Sequence, residues 1–193
     1  CLAIVVLVTL PLPSIAATIA PDWGYEGKLK PDNWGKISRD FATCDRGKSQ
    51  SPIDITGAAT GVPLAIEFDY QPSPLEVINN GHSIQVNYAP GSKISLGGED
   101  YQLLQFHFHT PSEHRIAGTG APMEAHLVHR NDRGKLAVVG VMINADREHR
   151  EIAKIWSAIP PVGKVNKIAN MSIDADLLLP KARSYYSYVG SLT

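Results

Sequence analysis

Along most of this chain apolar residues recur at every second position or in short runs broken by Gly, Pro and Asn. That is the period of a strand, whose side chains alternate faces, and not the 3.6-residue period of a helix. The clearest runs are residues 64–70, 75–79, 83–88 and 136–143, and with fourteen prolines and sixteen glycines spread among them they predict a turn-rich sheet protein. One stretch departs from the pattern. Ile152, Ile155, Trp156 and Ile159 recur at helical spacing, with Arg147, Glu148, Arg150, Glu151 and Lys154 on the other side, so a helix is predicted over 147–159 with its charges on a solvated face. A shorter helical turn is expected before Pro180.

Two of the strand-like stretches carry chemistry. Gln105-Phe106-His107-Phe108-His109 is followed fifteen residues later by Glu124-Ala125-His126. Alternation puts Gln105, His107 and His109 on one face and Phe106 and Phe108 on the other, while Glu124, His126 and Val128 share a face of the second stretch. If the two strands pair, three imidazoles converge on one ion. Three neutral imidazoles leave tetrahedral Zn2+ one open position, the ligand set of a catalytic site, and Gln105 and Glu124 can accept the N–H that each bound ring has left over. A lone His-x-His is commonly coincidental; His126 and the two polar partners are what raise this one above that level. His114, His129 and His149 lack such support and read as structural or surface residues, with His129 on the strand face opposite His126.

A second metal reading stays open on residue types alone. His107-x-His109-x-x-x-Glu113 with a later histidine also fits the spacing of cupin barrels. The fit is partial, because Tyr101 stands where cupins carry glycine and Pro122-Met123-Glu124 where they carry Pro-x-Gly.

Six ordered motifs bear on the choice: Trp23-Gly24-Tyr25, Gln50 to Ile55, Asn79-Asn80-Gly81-His82, Gln105 to His114, Glu124 to His129 and Tyr188 to Thr193. Through them the chain resembles an α-class carbonic anhydrase of bacterial type, from about residue 22 to the last residue. The resemblance implies a mainly β fold, a single large twisted and mostly antiparallel sheet with short peripheral helices. It implies zinc-dependent reversible hydration of carbon dioxide to bicarbonate, with zinc on His107, His109 and His126 and with Gln105 and Glu124 behind them. It implies that Thr193 passes a hydrogen bond from the attacking hydroxide to Glu113, and that His82 shuttles the surplus proton, as a side chain that ordinarily titrates near neutral pH can. Val128, Val138 and Leu192 would form the apolar wall for the substrate, and Asn80, His82, Gln85 and Gln105 the polar side. Strict alternation puts Gln85 opposite His82, so a bend between them is implied.

Residues 1–20 are mostly apolar from Leu2 to Leu12 and then rich in small residues, which reads as part of a secretory signal peptide, the domain itself running over 21–193. The apolar run is shorter than the about 20 residues that span a bilayer, so no stable membrane anchor is expected, and the location would be periplasmic or secreted. The resemblance also implies that the domain is incomplete at Thr193, that the disulfide partner of Cys44 lies further on, and that the 193-residue chain alone is weakly active. A net charge of −1 gives no footprint for nucleic acid, which leaves a small molecule, carbon dioxide or bicarbonate, as the expected partner. The oligomeric state stays open, a dimer included. The alternatives to the enzyme are a cupin-like metal-binding protein and a non-catalytic carbonic-anhydrase-like binding module, the latter disfavoured because all three histidine positions are filled.

Overall fold

Alternation and turn chemistry together build a large sheet. Residues 3–8 (as backbone), 23–24, 27–57, 59, 61 and 64–191 are described in a computed structural model of the chain. Among them the strands are β1 (Ala3–Val8), β2 (Asp54–Ile55), β3 (Ile66–Asp69), β4 (Ser73–Asn79), β5 (Ile84–Asn87), β6 (Lys93–Leu96), β7 (Glu99–His109), β8 (Arg115–Ile116), β9 (Met123–Arg130), β10 (Leu136–Ile143), β11 (Lys164–Ile173) and β12 (Tyr185–Val189). Ten of them form one sheet in the order β11-β4-β5-β7-β9-β10-β1-β12, with β6 paired to β7 and β3 to β6. Every pair in it is antiparallel except β1 with β12. The expected mainly antiparallel sheet is therefore found, with a separate parallel pair, β2 and β8, beside it.

β7 shows how the strand that holds the candidate ligands is aimed. Tyr101 and Leu103 are buried at odd positions, but further along it is Phe106 and Phe108, at even positions, that are buried. The switch falls where the pairing with β9 shifts register between Leu103 and Gln105. The extra residue of a bulge flips the faces of everything after it, so both halves of β7 keep their large apolar side chains on the core side, and Gln105, His107 and His109 turn the other way. On the core side Val77, Val86, Phe106, Leu127 and Val139 pack with Ile155, Ala158, Ile173 and Ala175 in one buried cluster.

The predicted helix exists, but it spans Arg150–Trp156 and not 147–159; His149 before it is extended and Pro160 and Pro161 follow closely after it. Its charged side is not wholly solvated either. Glu151 is buried, its carboxylate accepting from Lys154 Nζ at 2.7 Å and from the backbone N–H of Asp174 at 3.0 Å, which ties the helix to the end of β11. The turn expected before Pro180 is the 3-10 helix Ala175–Leu178.

A run of short helices between residues 27 and 46 was not foreseen. It comprises 3-10 turns at Gly27–Leu29, Pro31–Asn33 and Arg39–Phe41 with helices Trp34–Ile37 and Ala42–Arg46 between and after them, and none is long enough to show a period. Two contacts fold it tightly. The Trp34 indole N–H donates to the carbonyls of Gly24 and Leu29, and Gly35 lies so close to Asp45 that an added Cβ would sit 2.8 Å from the Asp45 backbone nitrogen. Of the expected leader, residues 1–2 and 9–20 lie outside the described residues and 3–8 is the backbone of β1. No helix among the described residues is long and apolar enough to cross a membrane.

Candidate metal centre

The pairing of β7 with β9 sets His107 directly opposite His126 and His109 opposite Glu124. Because the three histidines share one face of adjacent strands, their rings cluster, with centroids 5.4 Å apart for His107 and His126, 4.9 Å for His107 and His109, and 4.6 Å for His109 and His126. One ring nitrogen from each lies within 4.8 Å of the others. They line a cavity of about 360 Å³ whose walls also include Trp23, Phe41, Asn80, His82, Val128 and Val138.

Protonation favours metal binding. Burial, reinforced by the neighbouring His126 and His109, pulls the pKa of His107 down to about 3, and burial with His126 pulls His109 to about 4. Both rings are therefore neutral at neutral pH and carry lone pairs. Gln105 selects which nitrogen is free: its Oε1 is 2.9 Å from His107 Nδ1, so Nδ1 donates and the Nε2 lone pair would be left for an ion. For Glu124, burial opposes ionisation, yet hydrogen bonds from His114 and His126 outweigh it and hold the carboxyl well below the usual range.

His114, Glu124 and His126 also cluster within 4.8 Å, but their polar atoms are already engaged with one another and with the backbone. Glu124 Oε2 accepts from the N–H groups of Glu113 and His114 at 3.0 and 2.9 Å, and Oε1 lies 2.6 Å from His114 Nδ1 and 3.0 Å from His126 Nε2. A carboxylate only accepts, so His114 Nδ1 donates to it, and His126 Nε2 stands 3.0 Å from the same oxygen. The donor set at His107, His109 and His126 thus suits zinc: three imidazoles on one face, two of them with a polar oxygen close behind.

The family model for eukaryotic-type carbonic anhydrase matches residues 29–193. The chain belongs to the carbonic anhydrase family. It is 44% identical over 173 residues to the carbonic anhydrase of Neisseria gonorrhoeae, an alignment covering 89% of this chain and 68% of that protein. A hyperthermostable carbonic anhydrase identified from an active hydrothermal vent chimney superposes with a TM-score of 0.78 at 41% identity, over 83% of this chain and 72% of that one. The α-carbonic anhydrase of Thermovibrio ammonificans, solved with the inhibitor sulfanilamide, does so at 0.72 and 36% identity, over 84% and 73%. The mainly β carbonic anhydrase fold expected from the sequence is the fold found.

Within this carbonic anhydrase domain the remaining expected residues are placed as follows. Glu113 sits beside the histidines, its Oε2 3.2 Å from His109 Nε2 and 3.9 Å from His126 Nδ1. Thr193 and Leu192 lie outside the described residues. Val128 and Val138 oppose each other across β9 and β10 and both line the cavity. His82 lines it too, exposed at the rim and stacked on Trp23 with ring centroids 4.1 Å apart. The bend implied before Gln85 is a turn in which the Asn80 side chain accepts from the N–H groups of His82 and Ser83, with Gly81 at a φ of +90°. Gln85 and Gln105 are not on the cavity lining; Gln85 donates to Asn87, and Gln105 stands behind His107. Cys44 lines the cavity wall and has no disulfide partner among the described residues.

Three residues had no role in the sequence reading and belong to the site's support. His114 is buried, and its Nε2 lies 2.6 Å from the Tyr188 hydroxyl, which in turn lies 2.6 Å from Ser51 Oγ. These contacts form a chain from Ser51 through Tyr188 and His114 to Glu124, with His126 beside its far end. Burial pushes the Tyr188 hydroxyl up to about 12, which keeps it a donor. The available signal was the Ser112-Glu113-His114 stretch ahead of Glu124, but nothing in the spacing pointed to Ser51 or Tyr188.

Proposed function

We propose that the chain catalyses the reversible hydration of carbon dioxide to bicarbonate and a proton, with a zinc ion held by His107, His109 and His126. The observation that carries this reading is the convergence of three imidazole nitrogens within 4.8 Å on a cavity wall that is apolar on one side, at Val128 and Val138, and open to solvent at His82 on the other. Bound there, the ion would supply the Lewis acidity that makes a water nucleophilic near neutral pH, chemistry for which carbonic anhydrases are themselves the type case.

The chain's own residues supply the rest. Gln105 and Glu124 stand behind His107 and His126 and would orient their rings toward a bound ion. Val128 and Val138 offer an apolar surface to a small apolar substrate and keep bulk water off that side. Glu113 is assigned, with Thr193, to orient the attacking oxygen toward the substrate carbon, and Leu192 to extend the apolar wall. His82 takes the proton released in the cavity and passes it to solvent buffer.

The test is metal content and carbon dioxide hydration on the same purified sample, with and without sulfanilamide. Stoichiometric zinc, sulfanilamide-sensitive hydration and loss of both zinc and activity in His107→Ala are expected. Full hydration activity in His107→Ala, or a zinc-loaded parent with no hydration activity, would overturn the reading.

A further inference from the structure

The turn that carries His82 is closed from within by Asn80, whose Oδ1 accepts from the N–H groups of His82 and Ser83 and whose Nδ2 donates to Ser83 Oγ at 3.2 Å. Asn79, the last residue of β4, does something different. Its Oδ1 accepts from the Gly81 N–H at 3.2 Å, and its Nδ2 donates to the Pro160 carbonyl at 3.0 Å. One carboxamide thus joins the turn to a segment 81 positions further along the chain.

The far end of this bridge is well placed to anchor it. Pro160 closely follows the helix Arg150–Trp156, whose Ile155 is buried in the core. Next, the Gly163 N–H donates to the Asn79 carbonyl at 2.7 Å, and Lys164 opens the pairing of β11 with β4 directly opposite Asn79. The same loop approaches the turn itself: a Cβ added to Gly81 would stand 3.3 Å from Val162 Cγ1. Residues 160–163 therefore back the turn.

A side chain with both a donor and an acceptor is needed for this bridge. A carboxylate has nothing to donate to Pro160, and an alanine methyl group serves neither partner. Asn79 is half-buried, whereas Asn80, Gly81 and His82 are exposed, so the bridge runs from the packed body to an exposed turn. Such turns open at low free energy unless hydrogen bonds hold them.

We propose that Asn79 is a positioning residue for proton transfer: through Gly81 and Pro160 it holds the turn so that His82 stays at the cavity rim against Trp23. The inference rests on the shuttle role of His82. It adds a residue outside the lining of the metal-centre cavity.

Hydration kinetics of the zinc-loaded parent, Asn79→Ala, His82→Ala and the double variant test it, together with amide exchange on the parent and Asn79→Ala. In Asn79→Ala, kcat should fall roughly threefold or more with kcat/KM nearly unchanged. The Gly81 amide should exchange on the order of tenfold faster. Added to His82→Ala, the same change should lower kcat no further, because residues that act as one unit are not additive. A merely structural role would lower kcat and kcat/KM together, or lower kcat as much without His82 as with it; either result overturns the inference. Unchanged kcat or unchanged Gly81 exchange in Asn79→Ala does so too. If His82→Ala itself leaves kcat at the parental value, the shuttle reading has failed and the role of Asn79 falls with it. Should Asn79→Ala not fold, Asn79→Asp, which keeps the acceptor for Gly81 but loses the donor for Pro160, is measured in its place with the same kinetic criteria.

Discussion

His82 lies flat on Trp23, ring centroids 4.1 Å apart and planes inclined by 10°. The stack holds an exposed imidazole at the cavity rim, where it can face either the cavity or solvent. His82→Ala is expected to lower kcat by at least about tenfold with kcat/KM nearly unchanged, because proton removal and not attack on the substrate is impaired. Imidazole buffer should restore part of the loss. Trp23→Ala leaves the His82 side chain but frees its ring, so a smaller drop in kcat, without rescue by imidazole, is expected. Equal losses in kcat and kcat/KM for His82→Ala would place that residue in the chemical step and not in proton transfer.

Tyr188 links Ser51 to His114 through one hydroxyl group. Tyr188→Phe keeps the ring and removes that group, leaving His114 Nε2 in a buried place without its hydrogen-bond partner. A loss of about 1–3 kcal/mol is expected in urea denaturation. Zinc affinity should fall as well, since His114 steadies Glu124 and Glu124 steadies His126. Ser51→Ala removes only the outer end of the chain and should cost less on both counts. A Tyr188→Phe protein with parental stability and zinc affinity would show that the chain of hydrogen bonds is incidental.

His129 supplies a pH dependence unrelated to the metal. It is fully buried, with Nδ1 donating to the Ala137 carbonyl at 3.1 Å and Nε2 accepting from the Tyr70 hydroxyl at 2.7 Å. Burial lowers its pKa to about 4, against the pull of its backbone hydrogen bonds. The unfolded chain therefore binds a proton here between about pH 6.5 and 4 that the folded chain refuses, so stability is full above that window and falls as pH drops through it. Going from pH 8 to pH 5 should cost about 2 kcal/mol through this residue. His129→Gln, compared with the parent with both metal-free so that His107 and His109 contribute alike, should flatten the dependence by that amount. Identical slopes would refute the assignment.

How much of this was legible in the sequence depended on distance along the chain. Phe106, Phe108, His107 and His109 alternate within one strand, and His126 lies on the next strand of the ladder, so period and spacing sufficed to put the three histidines on one face. The bulge after Leu103 could not be seen, because Tyr101 and Leu103 alternate as regularly before it as Phe106 and Phe108 do after it. Ser51 and Tyr188 are 137 positions apart, and no local pattern signals a hydrogen bond across that separation. Glu151 was read as a surface charge because its partners, the Lys154 ammonium and the Asp174 amide, neutralise its burial in a way that only the tertiary structure reveals. Trp34, Phe41 and Cys44 were missed as cavity wall since they come from turns too short to carry a period.

That wall rests on the close approach of two helices. Gly35 of Trp34–Ile37 meets Asp45 of Ala42–Arg46, and an added Cβ would stand 2.8 Å from the Asp45 backbone nitrogen, a distance that only backbone movement can relieve. Gly35→Ala would otherwise favour the helix, by up to about 1 kcal/mol, so a net loss measures the clash directly. A destabilisation of about 1–3 kcal/mol is expected, as for other insertions into tightly packed places. Because Trp34, Phe41 and Cys44 all line the cavity, the same change should weaken sulfanilamide binding while leaving zinc bound, the ligands being on β7 and β9. Denaturation and inhibitor titration of the one variant check both parts. A Gly35→Ala protein more stable than its parent would mean that the two helices part without cost, and that the wall is not held where its contacts place it.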